Sequence, residues 1–157
     1  MKLLCLLMIL SLSTMAQDNK QVMEPVNRLF EGMKRGDNAM VHQAFHTTQT
    51  LSTVLVDATN QPVLKSGTLN DFLKAIGTPH KDVYNELIWA PKIQVDGNFA
   101  QVWVNYAFYA GKTFSHCGVD AFHLFKNASG QWKIFALADT RQKVGCNVPK
   151  EVSDLMK

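Results

Sequence analysis

Three polar side chains in the C-terminal half of the sequence could carry out chemistry together: His116, Asp139 and Arg141. A histidine whose tautomer is fixed by a neighbouring carboxylate is a good general base near neutral pH, so His116 beside Asp139 could abstract a proton. The guanidinium of Arg141 could bind a ligand carboxylate or phosphate with two parallel hydrogen bonds. Taken alone, each residue also has a structural interpretation, as a satisfied histidine or an ordinary ion pair. Their expected convergence is what favours the functional interpretation.

Residues 99–141 are predicted to form the three long β-strands that position these side chains. Gly111-Lys112 is a two-residue hairpin turn in which glycine supplies the positive φ. Residues 127–130 form a second tight turn rich in turn-forming residues. Both turns are sharp, so the three strands should pair as an antiparallel meander.

Counting outward from the two turns predicts which side chains share a face of this sheet. The count places His116 opposite Ala107 and Arg141, and Asp120 opposite Trp103. One face is apolar at one end and polar at the other, which is typical of a ligand pocket with an apolar floor, or of a half-exposed face with ion pairs. The candidate ligand-binding residues on it are Trp103, Asn105, Tyr109, His116, Asp120, Asp139 and Arg141. The opposite face, which carries Tyr106, Phe108 and Cys117, is almost wholly apolar and is expected to pack against helices or a partner subunit.

The rest of the chain supplies helices before the strands. Apolar residues recur at helical spacing over residues 19–34, and Asp37 and Thr68 are good N-caps for two shorter helices. Strands are expected at 51–57 and 63–66, and at 86–95 with an interruption or bulge at Pro91. Helices gathered at one end and strands at the other predict an α+β domain whose sheet is covered on one face by helices.

The first sixteen residues read as a secretory signal peptide. Lys2 supplies the positive region, residues 3–12 the apolar core and Thr14-Met15-Ala16 the cleavage site. Cleavage after Ala16 leaves residues 17–157, a suitable size for one domain. We therefore expect an exported protein, periplasmic or secreted, with no membrane association after cleavage.

The composition excludes several classes of function. The formal charge is +3 and the longest basic run is Lys34-Arg35, so nucleic acid is not an expected partner. The sequence contains no glycine-rich phosphate loop, no nucleophile elbow and no Cys/His ligand quartet. We accordingly expect no cofactor and no metal.

The exported chain would keep two cysteines, Cys117 and Cys146, which could form a disulfide. If the last strand continued straight, Cys146 would lie far from Cys117, so a bridge requires the chain to fold back at Gly145. Spacing therefore slightly favours two separate thiols, with Cys117 packed on the sheet face away from the candidate site and not acting as a nucleophile.

Several motifs together resemble a known family. LFEGMKRGD followed by AFH, and the run VDGNFAQVWVNYAFYAGKTFSHCGVDAFHLFKNASGQWKIFALADTR, resemble the nuclear-transport-factor-2-like superfamily. FSHCGVDAF with ADTR resembles its exported bacterial group labelled "putative lumazine-binding". The resemblance implies a cone in which a strongly curved antiparallel sheet wraps around about three N-terminal helices, with an internal pocket and frequent homodimers.

The resemblance implies less about activity, because the superfamily contains both enzymes and non-catalytic binding domains. We expect an exported domain that binds a small apolar or aromatic molecule. One alternative is an isomerase, dehydratase or hydrolase that uses His116 or an aspartate as general base. The other is a homodimeric scaffold that binds no ligand.

Overall fold

The computed structural model describes the backbone of residues 2–156 and the side chains of residues 18–156. The helices are α1 (Lys2–Arg35), α2 (Asn38–Ala44), α3 (Leu69–Gly77) and α4 (Lys150–Ser153), followed by a short 3₁₀ helix (Asp154–Met156). The strands are β1 (Phe45–Val56), β2 (Pro62–Gly67), β3 (Tyr84–Asp96), β4 (Phe99–Ala110), β5 (Thr113–Lys126) and β6 (Trp132–Arg141). They form one sheet in the order β2-β1-β6-β5-β4-β3, in which only the pair β1 and β6 is parallel.

Helices α2 and α3 begin where the local signals predict. The Asp37 side chain accepts a hydrogen bond from the backbone N–H of Met40 at 2.9 Å, which caps α2. The Thr68 hydroxyl accepts from the backbone N–H of Asp71 at 3.1 Å and donates to the Asp71 carboxylate at 2.7 Å, which caps α3. These contacts satisfy amide groups that a helix leaves free at its start.

The N-terminal segment belongs to α1 as far as its backbone is described. The predicted signal peptide covers residues 1–16, whose side chains lie outside the described part of the chain. Within that described part, no helix is both long and apolar enough to cross a membrane.

The core lies between the concave face of the sheet and the first three helices. Val22, Val26 and Leu29 of α1 are essentially fully buried. They belong to one cluster with the inward-facing strand residues Val102, Val104, Phe122, Leu124 and Ile134. The predicted α+β cone with helices on one face of a curved sheet is therefore confirmed.

Two β-bulges change the predicted register. Ala110 pairs with Thr113 as expected, but Ser115 is an extra residue, so Phe108 pairs with His116 and Val104 with Asp120. The prediction that His116 lies opposite Ala107, and Asp120 opposite Trp103, is therefore wrong by one residue. Because successive side chains alternate between faces, this slip exchanges the two faces of β4.

A second bulge lies in β6. Leu124 pairs with Ile134 but His123 pairs with Ala136, which leaves Phe135 as the extra residue. Asp120 consequently lies opposite Asp139. The two aspartates are thus direct neighbours on adjacent strands, a contact that the predicted register did not contain.

The C-terminal segment folds back over the convex face of the sheet. Gly145 adopts a φ of 74°, which reverses the chain after β6. Cys117 and Cys146 are joined in a disulfide with a Cα–Cα distance of 5.8 Å. The preference for two separate thiols is thus corrected, and Cys117 does lie away from the concave face, packed with Ala107 and Tyr109.

Candidate functional site

A cavity of about 520 Å³ lies between the concave face of the sheet and helices α1 and α3. Its volume is within the usual range for small-molecule sites. The apolar part of its wall comes mainly from Leu29, Phe30, Met33, Leu51, Phe72, Ile76 and Leu137. Aromatic rings of Tyr84, Tyr106 and Phe108 continue this wall along β3 and β4. The polar part consists largely of Thr53, Asp71, Glu86, His116, Asp120, Asp139 and Arg141.

Four of the seven candidate residues line this cavity: His116, Asp120, Asp139 and Arg141. The other three do not, because the bulge at Ser115 turns their side chains to the convex face.

Trp103 is 44% exposed on that convex face. Asn105 pairs with Trp89 and Val119 in the same outward row, and Tyr109 packs in the cluster around Cys117. The prediction that these three residues share the candidate site is therefore wrong. Their places in the cavity wall are taken by Tyr106 and Phe108, which had been assigned to the opposite face.

Asp139 accepts hydrogen bonds from two side chains and lies near a third polar group. The hydroxyl of Thr53 on β1 donates to Oδ1, and the Nε–H of Arg141 donates to Oδ2 at 2.7 Å. The phenol of Tyr106 lies 3.4 Å from Oδ2 and donates to the backbone carbonyl of Thr140 at 2.7 Å. Burial, with the negative charge of Asp139, raises the pKa of Tyr106, so this phenol is a donor throughout the physiological range.

His116 has a different partner from the one expected. Its Nδ1 lies 3.0 Å from the Ser115 hydroxyl, while Asp139 receives its hydrogen bonds from other residues. Burial lowers the pKa of His116, and the positive charge of Arg141 lowers it further. The imidazole is therefore neutral at pH 7, and the predicted His116–Asp139 catalytic pair is corrected to a neutral histidine bound to Ser115.

The sequence interpretation missed the carboxyl pair on the cavity wall, Glu86 and Asp120. The two side chains hydrogen-bond to each other. Burial raises the pKa of Glu86 to about 7, and the charge of Asp139 contributes to this rise. Burial and the charge of Glu86 raise the pKa of Asp120 well above its ordinary value. Near pH 7 the pair thus holds at least one proton.

A weak signal for Glu86 was present in the sequence. Along β3, Glu86 lies two residues from Tyr84 and two from Ile88, so the three side chains share a face. Tyr84 and Ile88 pack against the core, so Glu86 is an acid in a row of side chains that face the core. The expected bulge at Pro91 is observed as a register shift between Trp89 and Lys92. Because of this shift, the face on which Glu86 lies cannot be found by counting residues back from the Asp96-Gly97 turn.

Gly118 allows the phenol of Tyr106 to reach the backbone carbonyl of Thr140. It lies opposite Tyr106, and a Cβ at this position would be 1.9 Å from the carbonyl oxygen of Thr140. That same carbonyl accepts the Tyr106 hydrogen bond, and the Thr140 hydroxyl accepts from the backbone N–H of Val119 at 3.0 Å. Tyr106 on β4 therefore reaches β6 across β5 because β5 has no side chain there.

The arrangement can hold and exchange protons. Among the described side chains, no group of three or more His, Cys, Asp or Glu residues is placed to hold a metal. Glu86 is half-buried and Asp120 is only 3% exposed, so the carboxyl pair lies on the inner wall. Arg141, with 49% of its side chain exposed, lies nearer the solvent.

Residues 17–137 match the family model described as "Putative lumazine-binding". The chain belongs to this family. No curated protein sequence matches the chain. Several solved structures share its fold at low sequence identity. An NTF2-like protein of unknown function from Shewanella baltica OS155 is 20% identical, with a TM-score of 0.63 over 82% of this chain and 96% of that one.

Two other similar structures are described as enzymes. A putative dehydratase of the NTF2-like family from Streptomyces avermitilis is 16% identical, with a TM-score of 0.63 over 82% of this chain and 99% of that one. A putative ketosteroid isomerase from Shewanella frigidimarina NCIMB 400 is also 16% identical, with a TM-score of 0.56 over 76% of this chain and 94% of that one. These likenesses establish the nuclear-transport-factor-2-like fold.

Proposed function

We propose that this protein binds a small, mainly apolar or aromatic molecule in the cavity between the sheet and helices α1 and α3. The observation that carries the proposal is the cavity itself, which runs from an apolar floor at Leu29 and Phe72 to the polar groups of Asp120, Asp139 and Arg141. A body of apolar contacts with a few convergent polar groups is the usual composition of a small-molecule site. Membership of a family described as "Putative lumazine-binding" supports the same function.

A blocked cavity tests this proposal. Ala75 lies on α3, is exposed, and lines the cavity, whereas its neighbour Lys74 is exposed but does not line it. Ala75→Trp should fill the opening, and Lys74→Trp is a matched control with the same new side chain on the same helix. Calorimetric titration with 2-naphthol should give binding to the wild type and to Lys74→Trp and loss of binding to Ala75→Trp. Equal binding by all three proteins would place the compound outside the cavity.

A second candidate function is catalysis by proton transfer, and the carboxyl pair favours it. An acid whose pKa lies near 7 is suited to general acid–base catalysis, and burial raises the pKa of Glu86 to about 7 on the cavity wall. Glu86 fits the role of base better than His116, which is bound to Ser115, or Asp139, which accepts hydrogen bonds from Thr53 and Arg141.

Deuterium exchange tests this candidate without knowledge of the natural substrate. The bicyclic ketone 2-tetralone carries acidic protons beside its carbonyl, and NMR in D₂O follows their exchange. Catalysis predicts exchange faster than in buffer with the wild type, and at least tenfold slower with Glu86→Gln. If 2-tetralone exchanges its protons at the same rate with and without the wild-type protein, the catalytic function is contradicted and the binding function stands.

The third alternative, a scaffold without ligand, requires a cavity filled by the protein's own side chains. The open volume of about 520 Å³ argues against it.

We also propose that the chain is exported and processed after Ala16. The charged, apolar and small-residue regions of residues 1–16 support this proposal, and a disulfide between Cys117 and Cys146 suits an oxidising compartment. The intact mass of the protein from the cell envelope or medium should correspond to a chain that begins at Gln17. A full-length mass in the cytoplasmic fraction would contradict export.

A further inference from the structure

One buried polar side chain in the cavity wall lacks a hydrogen-bond donor. The carboxyl of Asp120 accepts no hydrogen bond from a described N–H or hydroxyl group, although the residue is only 3% exposed. An unpaired buried polar group is costly, and buried polar atoms in folded proteins are nearly always hydrogen-bonded. Because Asp120 lines the cavity, a bound molecule can supply the missing partner.

The bond between Glu86 and Asp120 decides which kind of partner this is. The two acids share a hydrogen bond, so one oxygen of Asp120 faces Glu86. Whichever acid carries the shared proton, the other oxygen of Asp120 has none and is an acceptor. The matching ligand group is an O–H or N–H donor.

The charges around Asp120 also exclude one class of ligand head group. Glu86 and Asp139 contribute negative charge beside Asp120, and the cation nearest to them, Arg141, is bound to Asp139 at 2.7 Å and half exposed. An anionic head group at Asp120 would face like charges in a region of low solvent exposure. The cavity is thus poorly suited to a carboxylate or phosphate ligand, in contrast to the role considered for Arg141 from the sequence.

We propose that the Glu86–Asp120 pair recognises a ligand head group that donates a hydrogen bond, either a hydroxyl or an N–H, and that is uncharged or cationic. The head group lies against the carboxyl of Asp120, and the apolar body of the ligand packs between Phe108 and Tyr106 of the sheet and Leu29 and Phe72 of the helices. This inference rests on the proposed binding function and specifies its ligand class.

A series of compounds with one body and different heads tests the proposal. 2-Naphthol carries a hydroxyl donor, 2-aminoquinoline an N–H donor that becomes cationic near neutral pH, 2-methylnaphthalene no polar head, and 2-naphthoate an anion. Titrations of the wild type should show that 2-naphthol and 2-aminoquinoline bind at least tenfold more tightly than the other two, because pairing a buried acceptor removes its desolvation cost.

Two substitutions at the acceptor sharpen the test. Asp120→Leu removes the acceptor and should reduce the ratio of affinities for 2-naphthol and 2-methylnaphthalene to about one. Asp120→Asn imitates the protonated acid, since its amide can donate to Glu86 while its oxygen faces the cavity, and it should keep the preference for donors. Asp96→Asn, on the same strand as Glu86 but exposed and outside the cavity, is the control that should match the wild type. Thermal melts establish that each variant is folded.

The outcomes separate the two proposals. If all four compounds bind equally well, or if 2-naphthoate binds best, the head-group inference is overturned while binding in the cavity stands. If none of them binds, both proposals fail. Retention of the donor preference in folded Asp120→Leu would also overturn the inference, because the acceptor would then not be Asp120.

Discussion

Glu86 and Asp120 hydrogen-bond to each other although β4 lies between their strands. Glu86 is paired with Phe108, and Asp120 with Val104, so the two acids are offset along the sheet as well as separated across it. On a flat sheet they would lie too far apart to bond. The contact therefore depends on the curvature of the sheet, which brings a diagonal pair together on the concave face.

Replacing Glu86 by Gln should flatten the dependence of stability on pH. The pKa of Glu86 is raised from 4.5 to about 7, so the folded protein holds this proton more tightly than the unfolded chain does. The stabilisation is complete below pH 4.5 and is lost as the pH rises through about 7. Urea unfolding should show that the wild type loses about 2.5 kcal/mol more than Glu86→Gln between pH 5 and pH 8.

Asp96→Asn is the control for this comparison, because Asp96 is exposed on the same strand, and it should keep the wild-type slope. Equal slopes for Glu86→Gln and the wild type would mean that Glu86 titrates at its ordinary pKa.

Gly118→Ala should destabilise the fold strongly. The new methyl group would meet the backbone carbonyl of Thr140 at 1.9 Å, and moving that carbonyl would also break its hydrogen bond with Tyr106. We expect a loss of about 3 kcal/mol in the free energy of unfolding. At Gly67 a Cβ would lie 3.9 Å from Leu51, an ordinary contact, so Gly67→Ala should change stability by about 0.5 kcal/mol or less. Similar stabilities for both variants would contradict the close approach at Gly118.

Loss of the disulfide should destabilise the protein and release its C-terminal segment. Cys117 and Cys146 close a loop with a sequence separation of 29, for which the chain-entropy model gives about 3.5 kcal/mol. The variant with both cysteines replaced by serine should melt at a lower temperature than the oxidised wild type, and a reductant should lower the melting temperature of the wild type only. Two reactive thiols in the native protein isolated after export would show that the bridge is absent.

The convex face of the sheet should form a homodimer interface. Phe99 and Trp103 are 42% and 44% exposed there, and exposed apolar side chains of this kind mark association surfaces. Light scattering after size exclusion should give the mass of a dimer for the wild type and of a monomer for Trp103→Glu. Val144→Glu is the control, since Val144 is 82% exposed on the C-terminal segment. A monomeric wild type would contradict this prediction.

The parts of the fold that rest on local signals could be predicted from the sequence. Asp37 and Thr68 cap helices because of contacts within the next few residues, and the turn at Gly111-Lys112 needs only a glycine with positive φ. The bulge at Pro91 was also predictable, because proline lacks the N–H that a sheet interior requires. The order of helices and strands followed from these signals.

The bulges at Ser115 and Phe135 could not be predicted in the same way. Neither position carries a proline or glycine, and a bulge there depends on how the whole sheet curves around the helices. One extra residue moves every later side chain to the opposite face, which is why Trp103 was predicted in the site and Tyr106 outside it. In β6 two shifts cancel, because the last turn is one residue longer than predicted, with Lys126 opposite Trp132, and the bulge at Phe135 adds a second residue. The faces of β6 are therefore unchanged, and His116, Asp120, Asp139 and Arg141 were assigned to the cavity face from the sequence.

The carboxyl pair was beyond sequence reasoning for a related reason. Its contact joins two strands that are not neighbours, and its proton is held because burial and the adjacent Asp139 act on both acids at once. Such properties follow from the assembled cavity and not from the spacing of any motif.

A crystal structure of the protein with bound 2-naphthol would test the central claim most directly. We predict a naphthalene ring in the cavity between α1, α3 and the sheet, with its hydroxyl oxygen about 2.8 Å from a carboxyl oxygen of Asp120. A compound bound elsewhere, or one in the cavity whose hydroxyl points away from the Asp120 carboxyl, would contradict it.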